Sequence, residues 1–277
     1  MKIAAIQMVS TPDVKRNLDA ARVLLQQAAA AGAEMAVLPE YFCLLGLKDT
    51  DKLAIAEPAG DGPLQEFLSR CALDFDLHLV GGTLPIIAPQ PGKVYNRTLV
   101  YDPQGQYVAH YDKMHLFCFD NGQESYDEAR VLTAGKKPVA FDLQSRGGHR
   151  WRIGLSICYD LRFPELYRAL KADVLLVPSA FTYTTGQAHW EMLLRARAIE
   201  NLAFVVAAAQ GGLHENGRRT WGQSMVVSPW GEIVAELSGL DGPAGSAGGA
   251  GVVLAVIDKA SLTQRRLQLP ALDHRLL

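Results

Sequence analysis

The chain has 277 residues, of which 49 % are hydrophobic, and 27 basic side chains stand against 29 acidic ones for a net charge of −2. A chain of this length buries about three quarters of its unfolded surface, so a core forms without help from disulfides or metals, as one large domain or as two fused halves. The balanced charge, with no basic run interleaved with aromatics, excludes an electrostatic surface for nucleic acid, and the stretch 203–209, apolar throughout, is far too short to cross a bilayer.

The first nine residues are too short in their apolar part for a signal peptide and predict a strand over 3–8, which implies no export. A helix over 17–31 closed by Gly32 follows, then a strand over 35–39, a helix over 64–75 and a strand over 78–81. In the third of these, Leu64, Phe67, Leu68, Cys71 and Phe75 recur at three and four residues and define one buried face, which makes Cys71 a core residue. Strands over 97–101 and 107–111 flank Asp102-Pro-Gln-Gly105, a type I turn sequence with Asp first, Pro second and Gly fourth.

Strands over 139–143 and 152–158 are joined by the Gly147-Gly148 turn, followed by a helix over 164–171 and a strand over 173–177. A helix over 189–202 leads into strands over 204–208, 224–227, 233–237 and 252–257, and a last helix covers 262–269. The stretch 238–251 is rich in Gly and Ala with almost no charge and predicts a mobile surface loop. Its glycines do not lead from a strand into a helix, so it is not a phosphate cradle. A dozen strands against five or six helices predicts an α/β chain in which two sheets pack on each other with helices outside both.

Cys43, Cys71, Cys118 and Cys158 contain no C-x-x-C pair, and His214-Glu215 lacks a second histidine at the metalloprotease spacing. No metal is predicted, and reduced thiols in a cytoplasm are the expected setting.

One thiol stands apart. Ile153, Leu155 and Ile157 alternate as a half-buried strand, and Pro164-Glu165 resembles a first helical turn, so Cys158 sits where strand gives way to helix. A helix N-terminus and a nearby cation favour the anionic sulfur, which is the nucleophilic form. Two further apolar strands end on an ionisable residue: 36–42 carries Glu40 and 108–117 carries Lys113. A carboxylate, an ammonium and a thiol at three strand ends are the parts needed to deprotonate a nucleophile and stabilise an oxyanion.

Leu38-Pro-Glu40, Tyr111-Asp-Lys113-Met-His-Leu and Ile157-Cys158-Tyr-Asp-Leu-Arg162-Phe-Pro-Glu165, joined by Thr185-Gly-Gln-Ala-His-Trp190 and Ser228-Pro-Trp-Gly231, resemble the carbon–nitrogen hydrolases of the nitrilase superfamily over nearly the whole chain. The resemblance implies a single domain over 1–277 built as a four-layer α-β-β-α sandwich. It implies a triad of Glu40 as general base, Lys113 as oxyanion stabiliser and Cys158 as nucleophile. The Tyr159 backbone N–H is expected as a second oxyanion donor. Glu128, ahead of Leu132-Thr-Ala-Gly135, takes the place of a further glutamate that orients Lys113, with Glu124 competing for that role. Sulfur attacks the amide carbonyl, ammonia leaves, and the base then activates the water that hydrolyses the thioester. No cofactor is required. A homodimer or larger homo-oligomer packed through the outer helices is implied.

Within the superfamily, 181–200 and Ala207-Ala-Ala-Gln210 resemble the deaminated glutathione amidases, which form 2-oxoglutarate and cysteinylglycine; ω-amidases acting on 2-oxoglutaramate are the second resemblance. The chain departs from the first group at Trp221-Gly-Gln223-Ser, where Tyr-Gly-His-Ser is common, and at Ser228, where Asp is usual. Arg162, four residues beyond the thiol, is placed to clamp a substrate carboxylate or to pair with Glu165 or Glu191. Phe181 and Thr184 follow a strand and are expected to line the pocket. From a different class, a catalytically silent binding subunit remains an alternative, against which the complete triad argues; no G-x-S-x-G elbow supports a serine hydrolase.

Overall fold

The computed structural model describes residues 1–237, 249–274 and 276. Two large sheets carry the fold. In the first, the spatial order is Gly251–Val256, Lys2–Gln7, Met35–Val37, His78–Val80, Val94–Tyr101 and Leu84–Ile87, with Tyr107–Asp112 also paired to Val94–Tyr101. In the second it is Ile233–Glu236, Met225–Val227, Phe204–Ala207, Val174–Leu176, Arg150–Leu155 and Val139–Gln144.

Strand alternation explains the layering. Ile3, Ala5, Met35 and Val37 share one buried cluster with Phe141, Trp151, Ile153 and Val174 of the second sheet, so these side chains lie between the sheets. Ala4, Ile6, Ala36 and Leu38, one residue out of phase, belong to a second cluster with Leu25 and Ala28 of the Val14–Ala30 helix and Leu68 and Cys71 of the Pro63–Phe75 helix. Leu166 and Leu170 of Pro164–Leu170, with Trp190, Leu194 and Ala198 of Tyr183–Asn201, cover the outer face of the second sheet. The result is the four-layer α-β-β-α sandwich, and Cys71 is a core residue as its spacing requires.

The 102–105 turn closes with a Gly105 N–H to Asp102 carbonyl bond of 2.9 Å, and Gly105 has φ +72°. The three late strands expected over 224–227, 233–237 and 252–257 as one run divide between the sheets. Met225–Val227 and Ile233–Glu236 extend the second, whereas Gly251–Val256 crosses back to pair antiparallel with Lys2–Gln7.

Other expectations require correction. The helix expected over 189–202 begins at Tyr183, because Thr182 caps it by accepting the Thr185 N–H. Three-residue strand pairs, Cys118–Asp120 with Ser125–Asp127 and Gly211–Leu213 with Arg219–Trp221, are too short to leave a periodic signal. Of the loop expected over 238–251, residues 238–248 lie outside the described residues, and Gly251 already belongs to a strand. Among the described residues no helix is long and apolar enough to cross a membrane.

Candidate active site

Glu40, Lys113 and Cys158 follow Met35–Val37, Tyr107–Asp112 and Arg150–Leu155, two strands of one sheet and one of the other. Two glycines allow the chain to pack tightly beside the first two. A Cβ on Gly82, at φ +54°, would stand 2.1 Å from the Pro39 carbonyl oxygen, and one on Gly135 would stand 2.1 Å from that of Asp112. Gly135 also donates its N–H to the Lys113 carbonyl at 2.8 Å, which accounts for the glycine ending Leu132-Thr-Ala-Gly135.

Lys113 Nζ donates to Glu40 Oε1 at 2.9 Å and lies 2.8 Å from each carboxylate oxygen of Glu128. Glu40 is held from three sides, since Oε1 also accepts from Asn96 Nδ2 at 2.8 Å and Oε2 from the Ala180 N–H at 2.8 Å. Glu128 accepts from the Tyr41 hydroxyl at 2.8 Å and the Phe117 N–H at 2.7 Å. Glu124 instead accepts from the Thr184 hydroxyl at 3.0 Å, so Glu128, and not Glu124, meets the ammonium.

The electrostatics follow from burial and contact. Burial works against the charge on Lys113, but Glu128 and Glu40 outweigh it and raise the ammonium above its ordinary value, so Lys113 remains a cation. Burial likewise opposes ionisation of Glu128, yet Lys113 and the Phe117 N–H hold its carboxyl below the usual value. Cys158 differs from the sequence expectation of a ready thiolate. Burial pushes its thiol well above the ordinary value, Glu40 and Glu128 push the same way, and Lys113 only partly opposes them. One ammonium already balances one of two carboxylates, and a thiolate would add a second uncompensated negative charge. The resting group is a thiol that shares its pocket with Glu40.

The backbone at Cys158 is unusual. Cys158 has φ +48° and Tyr41, next to Glu40, has φ +58°; non-glycine residues there cost about 1–3 kcal/mol each and persist only where surrounding contacts impose them. Asp160 supplies such contacts. Fully buried, it accepts from the Ile157 N–H at 2.9 Å, the Tyr111 hydroxyl at 2.8 Å and the His115 N–H at 3.0 Å, tying the Cys158 turn to the segment bearing Lys113.

Tyr159 and Phe181 line the pocket with Cys158, Glu40 and Glu128. Thr184 does not: it is exposed and bonded to Glu124, and the helix start at Tyr183 turns Thr182 and Thr185 inward instead. Arg162 makes neither expected ion pair. Its Nη2 lies 3.3 Å from His189 Nδ1 and its guanidinium carbon 5.6 Å from the Phe181 ring centre, while Glu191 pairs with Arg195. Sequence reading missed Tyr41, Asn96, Phe117 and Arg218. Asn96, a buried polar residue amid an apolar strand, carried the one usable signal. Among the described residues no three His, Cys, Asp or Glu side chains are grouped to hold a metal.

A carbon–nitrogen hydrolase family model matches residues 2–266. The chain belongs to the carbon–nitrogen hydrolase family. It is 41 % identical over 278 residues to a deaminated glutathione amidase of Synechocystis sp. (strain PCC 6803 / GT-S), covering 98 % of this chain and 97 % of that one. Its structure is similar to that of Saccharomyces cerevisiae Nit3, a member of branch 10 of the nitrilase superfamily, with TM-score 0.85, 28 % identity and coverage of 100 % and 97 %. It is also similar to a mutant amidase from Nesterenkonia sp. AN1 whose active-site cysteine carries acrylamide by Michael addition, with TM-score 0.76, 28 % identity and 98 % coverage of both chains. As a carbon–nitrogen hydrolase, the chain is an enzyme rather than a silent binding module.

Proposed function

We propose that this single-domain chain is an amidase acting on a 2-oxo acid amide, foremost deaminated glutathione. The observation carrying the chemistry is the buried Glu40–Lys113–Glu128 network beside the Cys158 thiol. The name of the Synechocystis relative supports the substrate.

Glu40 takes the thiol proton as Sγ bonds to the amide carbon, and the carbonyl π pair moves to oxygen, where Lys113 and the Tyr159 N–H stabilise it. Glu128 positions Lys113. As the tetrahedral species collapses, the C–N bond breaks and Glu40 returns the proton to the leaving nitrogen, leaving a thioester. Glu40 then deprotonates water, which attacks the thioester carbon; the C–S bond breaks and Sγ regains its proton. A Lys113 that stays charged throughout contributes electrostatics and not proton transfer.

The identity of the leaving amine follows from the bond broken. With deaminated glutathione yielding 2-oxoglutarate and cysteinylglycine, the amine that departs before deacylation is cysteinylglycine, which corrects the expectation of ammonia. Ammonia leaves only from a primary amide such as 2-oxoglutaramate, the alternative substrate.

Phe181 and Tyr159 form the pocket wall, and Arg162, which contacts His189 and Phe181 but no acidic side chain, supports a role in meeting a carboxylate. The four free cysteines support a reducing, cytoplasmic setting. Met192 and Ile199, exposed on the outer Tyr183–Asn201 helix, support a homodimer or larger assembly. The test is 2-oxoglutarate formation from deaminated glutathione and from 2-oxoglutaramate. Cysteine-dependent preference for the first supports the proposal, preference for the second moves it to ω-amidase, and inactivity on both refutes it.

A further inference from the structure

The space around Cys158 does not end at the triad. Arg218 lines the triad pocket, a neighbouring cavity containing Tyr41, Lys52 and Glu128, and an open cleft bordered by Lys48 and Asn216. The space widens from the confined pocket around the triad to the open cleft.

Two cations stand at this junction with their bonding capacity unmet. Arg218 Nη2 donates to the Ala180 carbonyl at 3.2 Å and its guanidinium carbon lies 4.9 Å from the Tyr126 ring centre, but its buried Nε has no hydrogen-bond partner among the described residues. Lys52 Nζ sits 4.8 Å from the Tyr41 ring centre. The carboxylates along the path are mostly engaged elsewhere, Glu128 by Lys113, Glu124 by Thr184 and Asp127 by Arg130, which leaves Asp49 against two cations. Burial holds Lys52 below its ordinary value against the pull of Glu128 and Asp49, and Arg218 and Lys113 add to that depression. An unmet guanidinium donor beside an ammonium is suited to a carboxylate.

Direction follows from the reaction. The acyl half stays bonded to Sγ while the amine half departs, so the amine half must face the open side. An extended dipeptide places its terminal carboxylate about 7 Å beyond the scissile bond. We propose that Arg218 and Lys52 bind a carboxylate on the leaving amine, making the enzyme selective for amides whose amine half is an anionic dipeptide. This rests on the amidase reading above.

The test compares deaminated glutathione with the same compound bearing a C-terminal glycinamide, which differs only in that charge, by kcat and KM for 2-oxoglutarate formation. Wild type is expected to show about a tenfold lower KM for the free acid, as for one charge-assisted contact. Arg218→Gln and Lys52→Gln should each shrink that ratio by raising the KM of the free acid, and Arg218→Lys should restore part of it. Equal KM values in wild type, or a ratio preserved in both glutamine variants, overturns this proposal while leaving the amidase reading intact. A wild type inactive on both compounds overturns the amidase reading and this proposal with it. Should Arg218→Gln fail to fold, the ratio in Lys52→Gln decides.

Discussion

Lys113 Nζ lies 2.9 Å from Glu40 Oε1, and both side chains are about 1 % exposed. A charge pair so deeply buried is retained because neither member tolerates losing the other. Replacing Lys113 with Met leaves two buried carboxylates with no counter-ion. The variant should lose about 3–5 kcal/mol of stability, read by urea denaturation, together with its activity.

Glu40 is assigned the proton transfers of both half-reactions, so Glu40→Gln should lower kcat by about 10²–10⁴; its single carbonyl oxygen can accept from Asn96 or from the Ala180 N–H but not from both. Single-turnover kinetics should show no thioester accumulating. Rapid thioester formation in this variant would remove Glu40 from the acylation step.

The raised thiol of Cys158 makes two claims. Alkylation of the free enzyme by iodoacetamide should be slow at neutral pH and accelerate as pH rises past 9.0, the ordinary thiol value. Stability should follow the same group. Below that value both folded and unfolded thiols are protonated; above it the unfolded thiol ionises while the folded one keeps its proton, so stability falls as pH rises. Cys158→Ala should remove that part of the alkaline slope and abolish turnover with the fold intact.

Glu128 touches Lys113 and not the thiol's reaction partner, so its effect should be indirect. Glu128→Gln removes the larger of the two carboxylate contributions that keep Lys113 charged. The alkaline limb of the pH–rate profile should move to lower pH, with kcat reduced more than KM is raised. An unchanged limb would make Glu128 a packing residue only.

His214 is distant in role but informative about acid stability. Burial pushes it down from 6.5 to about 4, against the bond to the Ser10 carbonyl, with Arg218 acting in the same direction as burial. Its neutral ring fits between Ser10 O at 2.9 Å and Thr220 Oγ1 at 2.7 Å. The unfolded chain binds this proton first, so the contribution is present above pH 6.5 and is lost as pH falls toward 4. His214→Gln should flatten the pH dependence of Tm across that window.

Much of this molecule was legible as local pattern. Strand alternation, helical periodicity and the Asp102–Gly105 turn are set by side-chain period and turn chemistry over a few residues, and they survive packing. Glu40, Lys113 and Cys158 stood out for the same reason, each an ionisable residue ending an apolar run. The helix starting at Tyr183 and the three-residue strands were not legible, because one cap and a few ladder bonds are weaker than any periodic signal.

The sequence by itself determined the fold family, the residue types at three strand ends and the core faces of the helices. Tertiary structure decided what those residues do to one another. Glu40 and Lys113 are 73 positions apart on ends of two strands of one sheet, and the Ala180 N–H that holds Glu40 is 140 positions away beyond a strand of the other, so the last of these contacts depends on two sheets meeting. The preference for Glu128 over Glu124, the protonated state of Cys158 and the unmet donor of Arg218 all follow from burial and from distances of about 3 Å between remote segments. Charge interactions strengthen only where water is excluded, and which groups lose their water is a property of the packed layers rather than of any local run of residues.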